Sequence, residues 1–149
     1  MNIQTILANL KIEQLNAMQQ VAIDTYREGC DLILLSPTGS GKTLAYLLPL
    51  VSSLKSEVEG VQAVILVPSR ELALQIEQVF KSMNTGFTIM SCYGGRPAMD
   101  EHRTMKGIRP SVIVGTPGRM NDHLETLNFD AAVVNILVID EFDKCLEFG

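Results

Sequence analysis

Ser36-Pro37-Thr38-Gly39-Ser40-Gly41-Lys42-Thr43 follows a short apolar run at 32–35 and opens a helical pattern, and this succession decides the fold. A glycine-bearing turn between strand and helix aims successive backbone N–H groups and the positive end of the helix at one point, forming a cradle for phosphate oxygens. Ser36 stands where the generic pattern has glycine, so the match runs from Gly41-Lys42-Thr43 onward. Further along, Ile136-Leu137-Val138-Ile139-Asp140-Glu141 ends a second apolar run on two carboxylates. One carboxylate in such a place supports Mg²⁺ and the other orients a water for attack. The two segments together predict a site that binds and hydrolyses a nucleoside triphosphate.

Apolar runs of strand length also occur at 63–67, 88–92 and 112–114, with helix-like stretches between them. That alternation predicts an α/β fold, a parallel sheet wrapped by helices. Ser69 before Arg70-Glu71-Leu72-Ala73 and Thr116 before Pro117 mark helix starts at the carboxyl ends of strands. In open α/β sheets ligands bind at that rim, so the cradle, both helix starts and Asp140 are expected along one edge. The first thirty residues predict helix, with Leu15, Met18, Val21 and Ala22 at helical spacing. Met83, Met90, Met99, Met105 and Met120 are expected in the core, and Glu57, Glu59 and Gly60 in an exposed turn.

A chain of 149 residues, 46% hydrophobic and 19% charged, is long enough for one buried core, so one domain is expected. No apolar stretch approaches the length of a membrane span, and Met1-Asn2-Ile3-Gln4 lacks the profile of a signal peptide. A cytoplasmic protein with no membrane partner is expected. Cys30, Cys92 and Cys145 are odd in number and far apart, which suits reduced, buried thiols. His102 and His123 have no partner at metal-ligand or triad spacing and are expected in ordinary surface or core roles. The net charge of −5 and pI near 5.0 exclude a broad basic surface for nucleic acid, so any such contact must be local.

Several segments, in order and over nearly the whole chain, resemble the first RecA-like domain of DEAD-box RNA helicases. Leu15-Asn16-Ala17-Met18-Gln19 resembles the family's Q motif, and Pro68-Ser69-Arg70-Glu71-Leu72-Ala73-Leu74-Gln75 its motif Ia. Gly94-Gly95 resembles the GG element and Thr116-Pro117-Gly118-Arg119 the TPGR element. Asp140-Glu141-Phe142-Asp143 occupies the place of the signature tetrad, with Phe142 where the family has alanine. Ile12 and Asn16 depart from the aromatic ring and the hydroxyl that the Q motif usually carries.

The resemblance implies a P-loop NTPase of RecA-like three-layer αβα architecture, with residues 1–149 forming part of an N-terminal ATP-binding domain. Thr38, Gly39, Ser40, Gly41, Lys42 and Thr43 would hold the phosphates of ATP, with Lys42 reaching the β- and γ-phosphates, and Gln19 would read the adenine edge. Thr43 and Asp140 would hold Mg²⁺, and Glu141 would polarise the attacking water. Arg70, Gly95, Thr116 and Arg119 would meet the sugar–phosphate backbone of single-stranded or duplex RNA, largely without regard to sequence. A second RecA-like domain of the same polypeptide would complete the machine. A DNA-directed superfamily 2 helicase and a non-catalytic nucleotide-binding module are the alternative readings. Phe142 is expected against the sheet and Asp143 in solvent. The resemblance also implies a strand, later in sequence than the tetrad, inserted between the runs at 32–35 and 136–139. Without it the two runs are expected to lack a neighbour, and the chain to be marginally stable or to associate.

Overall fold

A computed structural model describes residues 2–27, 29–95 and 97–148, with Phe148 described through its backbone alone. The chain divides into two compact units, Met1–Leu54 with Ser82–Thr85, and Lys55–Lys81 with Gly86–Gly149.

The first unit holds helices α1 (Ile3–Asn9), α2 (Ala17–Arg27) and α3 (Lys42–Ser53). The helix expected over the first thirty residues is thus two helices, and Lys11 turns the chain between them at φ 56°. Asn2 caps α1 by accepting the Gln4 N–H at 2.9 Å. Helix α2 buries Gln19, Ala22 and Ile23 and packs against α3, while Val21 lies on the outer face. Helix α3 is apolar almost all round, and Leu44, Ala45, Leu47, Leu48, Leu50 and Val51 are all buried.

The strand expected at 32–35 is not formed. Ile33 and Leu35 are 87% and 92% exposed, and no described strand pairs with this segment. A strand is held by its neighbours' N–H and C=O groups, and without one an apolar run stays open however strand-like its composition. Cys30, expected buried, is exposed just ahead of the same segment.

The second unit is a four-stranded sheet in the order β2-β3-β1-β4, built from β1 (Ala63–Leu66), β2 (Ile89–Cys92), β3 (Val112–Gly115) and β4 (Ile136–Ile139). Every pairing is parallel, as the alternation predicts. Helices α4 (Arg70–Ser82), α5 (Ala98–Ile108) and α6 (Pro117–Glu125) connect the strands, and α7 (Phe142–Phe148) follows β4. Val64, Met90, Cys92, Met105, Ile113 and Met120 form a common buried cluster. Four of the five methionines expected in the core are there, whereas Met99 is exposed on α5. The turn through Glu57, Glu59 and Gly60 is exposed, as expected.

Register places the sheet's carboxyl rim. Cys92 pairs with Gly115, Gly115 lies opposite Leu66, and Leu66 pairs with Ile139, so the four strands end in one row. Gly115 permits that row, because a Cβ there would run into the Cys92 carbonyl oxygen and approach Met120 Sδ at 2.9 Å. Strand β4 is the edge on the far side of β1, and there Leu137 and Ile139 are 61% and 43% exposed.

Candidate functional site

The phosphate cradle lies wholly in the first unit. Gly41 sits at the start of α3 with φ 89° and ψ 23°, a left-handed conformation that turns the loop into the helix and that residues with a Cβ adopt at a cost. Lys42 begins the helix and bends back over the loop, where its ammonium donates to the carbonyl oxygens of Ser36 and of Pro37, the latter at 3.0 Å. A positive group is thereby held at a helix N-terminus whose first N–H groups have no intrahelical acceptor. The Ser36 hydroxyl donates to the Ser40 hydroxyl, so the serine that replaces the usual glycine braces the loop. Thr38 and Gly39 are exposed at the tip, and Thr43 is half-buried in the first turn of α3.

Gln19 reaches this loop from α2. Its Nε2 donates to the Gly41 carbonyl at 3.2 Å, and its Oε1 accepts the Asn16 N–H at 3.0 Å. Asn16 Oδ1 in turn accepts the Gln19 N–H at 2.9 Å, a reciprocal pair that is a capping box at the start of α2. Asn16 Nδ2 donates to the Ser40 carbonyl at 3.0 Å. Two residues of one helix cap therefore hold two successive carbonyls of the cradle. The spacing Asn16-x-x-Gln19 ahead of an amphipathic helix carried that signal in the sequence. An amide keeps a second N–H and a second lone pair after these bonds, which leaves Gln19 able to meet a base edge.

The second unit carries the other residues along its carboxyl rim. Asp140 follows β4, and its N–H donates to the Leu66 carbonyl at 2.9 Å while its Oδ1 accepts the Glu141 N–H at 2.9 Å. Glu141 has φ 48°, outside the range a strand or right-handed helix uses, and this reversal launches α7. Its Oε2 accepts from Lys144 at 2.9 Å, and that bond raises the lysine's pKa. Phe142, expected against the sheet, opens α7 instead and is 58% exposed, because the reversal takes it off the strand. Asp143 is exposed as expected. Cys145 is buried beside these groups, donating its thiol to the Asp140 carbonyl at 3.3 Å. Burial first, and the carboxylates of Asp140, Glu141 and Asp143 after it, push its thiol pKa up.

Arg70 opens α4 after Ser69, whose hydroxyl caps the helix by accepting the Leu72 N–H at 3.2 Å. The exposed Arg70 guanidinium lies 4.8 Å over the ring of Tyr93, the residue before Gly94-Gly95. Gly95 is exposed with φ 97°. Thr116 precedes Pro117 at the start of α6 and forms no capping bond through its side chain, which is half-buried. Arg119 is the exception among the expected RNA contacts. Its side chain is 9% exposed, and its guanidinium lies 3.6 Å from Glu101 and 3.9 Å from Asp122.

Glu101 itself, on α5, escaped the sequence reading. Only 1% exposed, it accepts the Tyr93 N–H at 3.1 Å and the His123 Nε2 at 2.9 Å. His123, fully buried on α6, takes the Asn128 amide on its Nδ1 at 2.7 Å, so its role is a core one, as expected. Burial pushes the Glu101 carboxyl up, but the bonds from His123 and Tyr93 and the charge of Arg119 outweigh it and hold the pKa below its ordinary 4.5. A carboxylate buried without such partners would cost several kcal/mol. Glu101 and His123 are 22 residues apart in sequence, with no motif to announce the pair.

A family model for the DEAD/DEAH box helicase domain matches residues 16–149. An ATP-dependent rRNA helicase, RRP3, of Saccharomyces cerevisiae is 40% identical over 95% of this chain and 29% of its own length. The DEAD-box ATP-dependent RNA helicase CshC of Bacillus cereus is 39% identical over 91% of this chain and 35% of its own. The crystal structure of the RNA helicase Prp28 from Chaetomium thermophilum bound to ADP superposes with a TM-score of 0.85 at 32% identity, covering 99% of this chain and 37% of that one. The chain thus spans about a third of the length of these relatives. With a cradle braced from the Q motif, a parallel sheet ending on Asp140-Glu141 and a family match over nearly its whole length, the chain belongs to the DEAD/DEAH box helicase family.

Proposed function

We propose that this chain binds ATP through its first unit and RNA through its second, as the ATP-binding portion of an ATP-dependent RNA helicase that a second RecA-like domain completes. The observation that carries the reading is the cradle: Lys42 is poised over the loop while Gln19 and Asn16 hold two of its carbonyls. In that reading Lys42 exchanges the Ser36 and Pro37 carbonyls for phosphate oxygens, an exchange that favours phosphate because the new partners carry charge. The N–H groups of the first turn of α3 and of Gly39, Ser40 and Gly41 complete the cradle. Gln19 offers its remaining donor and acceptor to adenine.

Thr43 in the first unit and Asp140 in the second each offer a hard oxygen on a half-buried side chain, the ligand type that Mg²⁺ takes. The ion, when bound, would neutralise charge on the β- and γ-phosphates. Glu141, next along the chain, would orient the attacking water once its carboxylate leaves Lys144. Arg70, Gly95 and Thr116 border one rim of the sheet and would meet phosphates, with no set of side chains for reading bases. Arg119 would join them only by leaving Glu101.

Calorimetric titration with MgADP tests the nucleotide half. We expect measurable binding by the parent and none by Lys42→Ala; equal affinities would overturn the assignment of the cradle. For the polymer, fluorescence anisotropy with matched single strands is expected to show RNA bound more tightly than DNA. The reverse order would favour the DNA-directed reading, and binding of neither would favour a nucleotide-binding module.

A further inference from the structure

Motif Ia, the Gly94-Gly95 turn and the start of α6 leave three different strands, yet one buried carboxylate links them. Glu101 accepts the N–H of Tyr93, whose ring underlies the Arg70 guanidinium, and it faces Arg119 at 3.6 Å. Its third partner, His123, ties it to the middle of α6. Both the backbone entering the glycine turn and the side chain that closes the TPGR segment are therefore held from a single point. We propose that Glu101 is a positioning residue for the RNA-facing rim, setting the 93–95 turn, Arg70 and the N-terminus of α6 in their mutual places. This rests on the RNA reading above.

Cys92 adds a third ligand-type atom to Glu101 and His123, all within 4.8 Å, which invites a metal-site reading. Arg119 argues against it. A guanidinium 3.6 Å from the same carboxylate already supplies the positive charge, and a cation placed there would meet that charge head-on. Glu101 is better described as the hub of an ion-paired, hydrogen-bonded network that ties the 93–95 turn to α6.

A positioning role and simple electrostatics give Glu101→Gln opposite signs. Removing a negative charge beside a phosphate site should tighten RNA binding if charge alone matters. If Glu101 positions the rim, Glu101→Gln instead weakens it. The experiment compares the affinity of this chain and its variants for a fluorescein-labelled oligouridylate, with MgADP affinity and thermal unfolding as checks that each variant is folded. We expect Glu101→Gln to lose on the order of tenfold in RNA affinity, about the effect of 1.4 kcal/mol, at unchanged MgADP affinity. Asp122→Asn, which removes an exposed charge near Arg119 without touching the turn, is expected to bind RNA as well as the parent or better.

Should Glu101→Gln unfold, the second leg decides: Tyr93→Leu removes the ring beneath Arg70 and is expected to weaken RNA binding severalfold, with Tyr93→Phe restoring it. RNA binding by folded Glu101→Gln equal to or tighter than the parent's, or no loss in Tyr93→Leu, would overturn the proposal while leaving the RNA reading intact. A parent chain that binds MgADP and no RNA would instead overturn the RNA reading, and the positioning role with it.

Discussion

Gly41→Ala is the sharpest test of how the cradle is built. The added Cβ would sit at φ 89° and 2.6 Å from Gln19 Nε2. A left-handed conformation costs a residue with a Cβ about 1–2 kcal/mol, and expelling the Gln19 amide from the Gly41 carbonyl costs about 1 kcal/mol more. The total, roughly 2–3 kcal/mol, must appear somewhere. If the free loop relaxes, restoring the cradle around phosphate incurs the cost, and MgADP affinity falls about 30–140-fold at 1.4 kcal/mol per factor of ten. If it does not relax, the strain stays in the folded state, and the melting temperature falls by roughly 5–10 °C. Calorimetry and thermal unfolding on the same preparation read both. A variant matching the parent in affinity and in melting temperature would refute the role given to Gly41 and to its bond with Gln19.

Glu101 is held below its ordinary 4.5, so the stability it contributes is full above that value and is lost as the pH falls through the folded one. Denaturant titrations are therefore expected to show the parent's advantage over Glu101→Gln shrinking below about pH 5; a gap that widens in acid would contradict the sign. Gly115→Ala should destabilise the chain by about 1–3 kcal/mol through overpacking against the Cys92 carbonyl and Met120, and an unchanged unfolding midpoint would contradict that close approach. Alkylation by iodoacetamide followed by peptide mass spectrometry should modify exposed Cys30 before Cys145, whose thiol is buried and raised in pKa; Cys145 reacting first would refute its placement.

The parallel sheet, the helix starts at Ser69 and Thr116 and the cradle were legible because each rests on a local rule. Apolar runs of strand length, cap residues and glycine turns carry their geometry with them. The strand at 32–35 failed for the opposite reason: its composition is that of a buried strand, but a strand exists only when a neighbour supplies hydrogen bonds, and no local pattern records whether one is present. Phe142 was misplaced because the reversal at Glu141 is a backbone conformation that a glutamate seldom adopts. Glu101 was invisible since a glutamate inside a helical stretch reads as a solvated face until the Tyr93 N–H, just past β2, and His123 and Arg119 of α6 close over it. The capping box was legible in Asn16-x-x-Gln19, but its use as a brace on the cradle needed the fold.

Backbone amide chemical shifts recorded by NMR on adding MgADP, and separately on adding an RNA oligonucleotide, locate both ligands on the chain in one experiment. MgADP is expected to move the amides of residues 38–43 and Gln19, and RNA those of Arg70, Gly94, Gly95 and Thr116. Nucleotide-induced shifts that spare residues 38–43 would contradict that expectation.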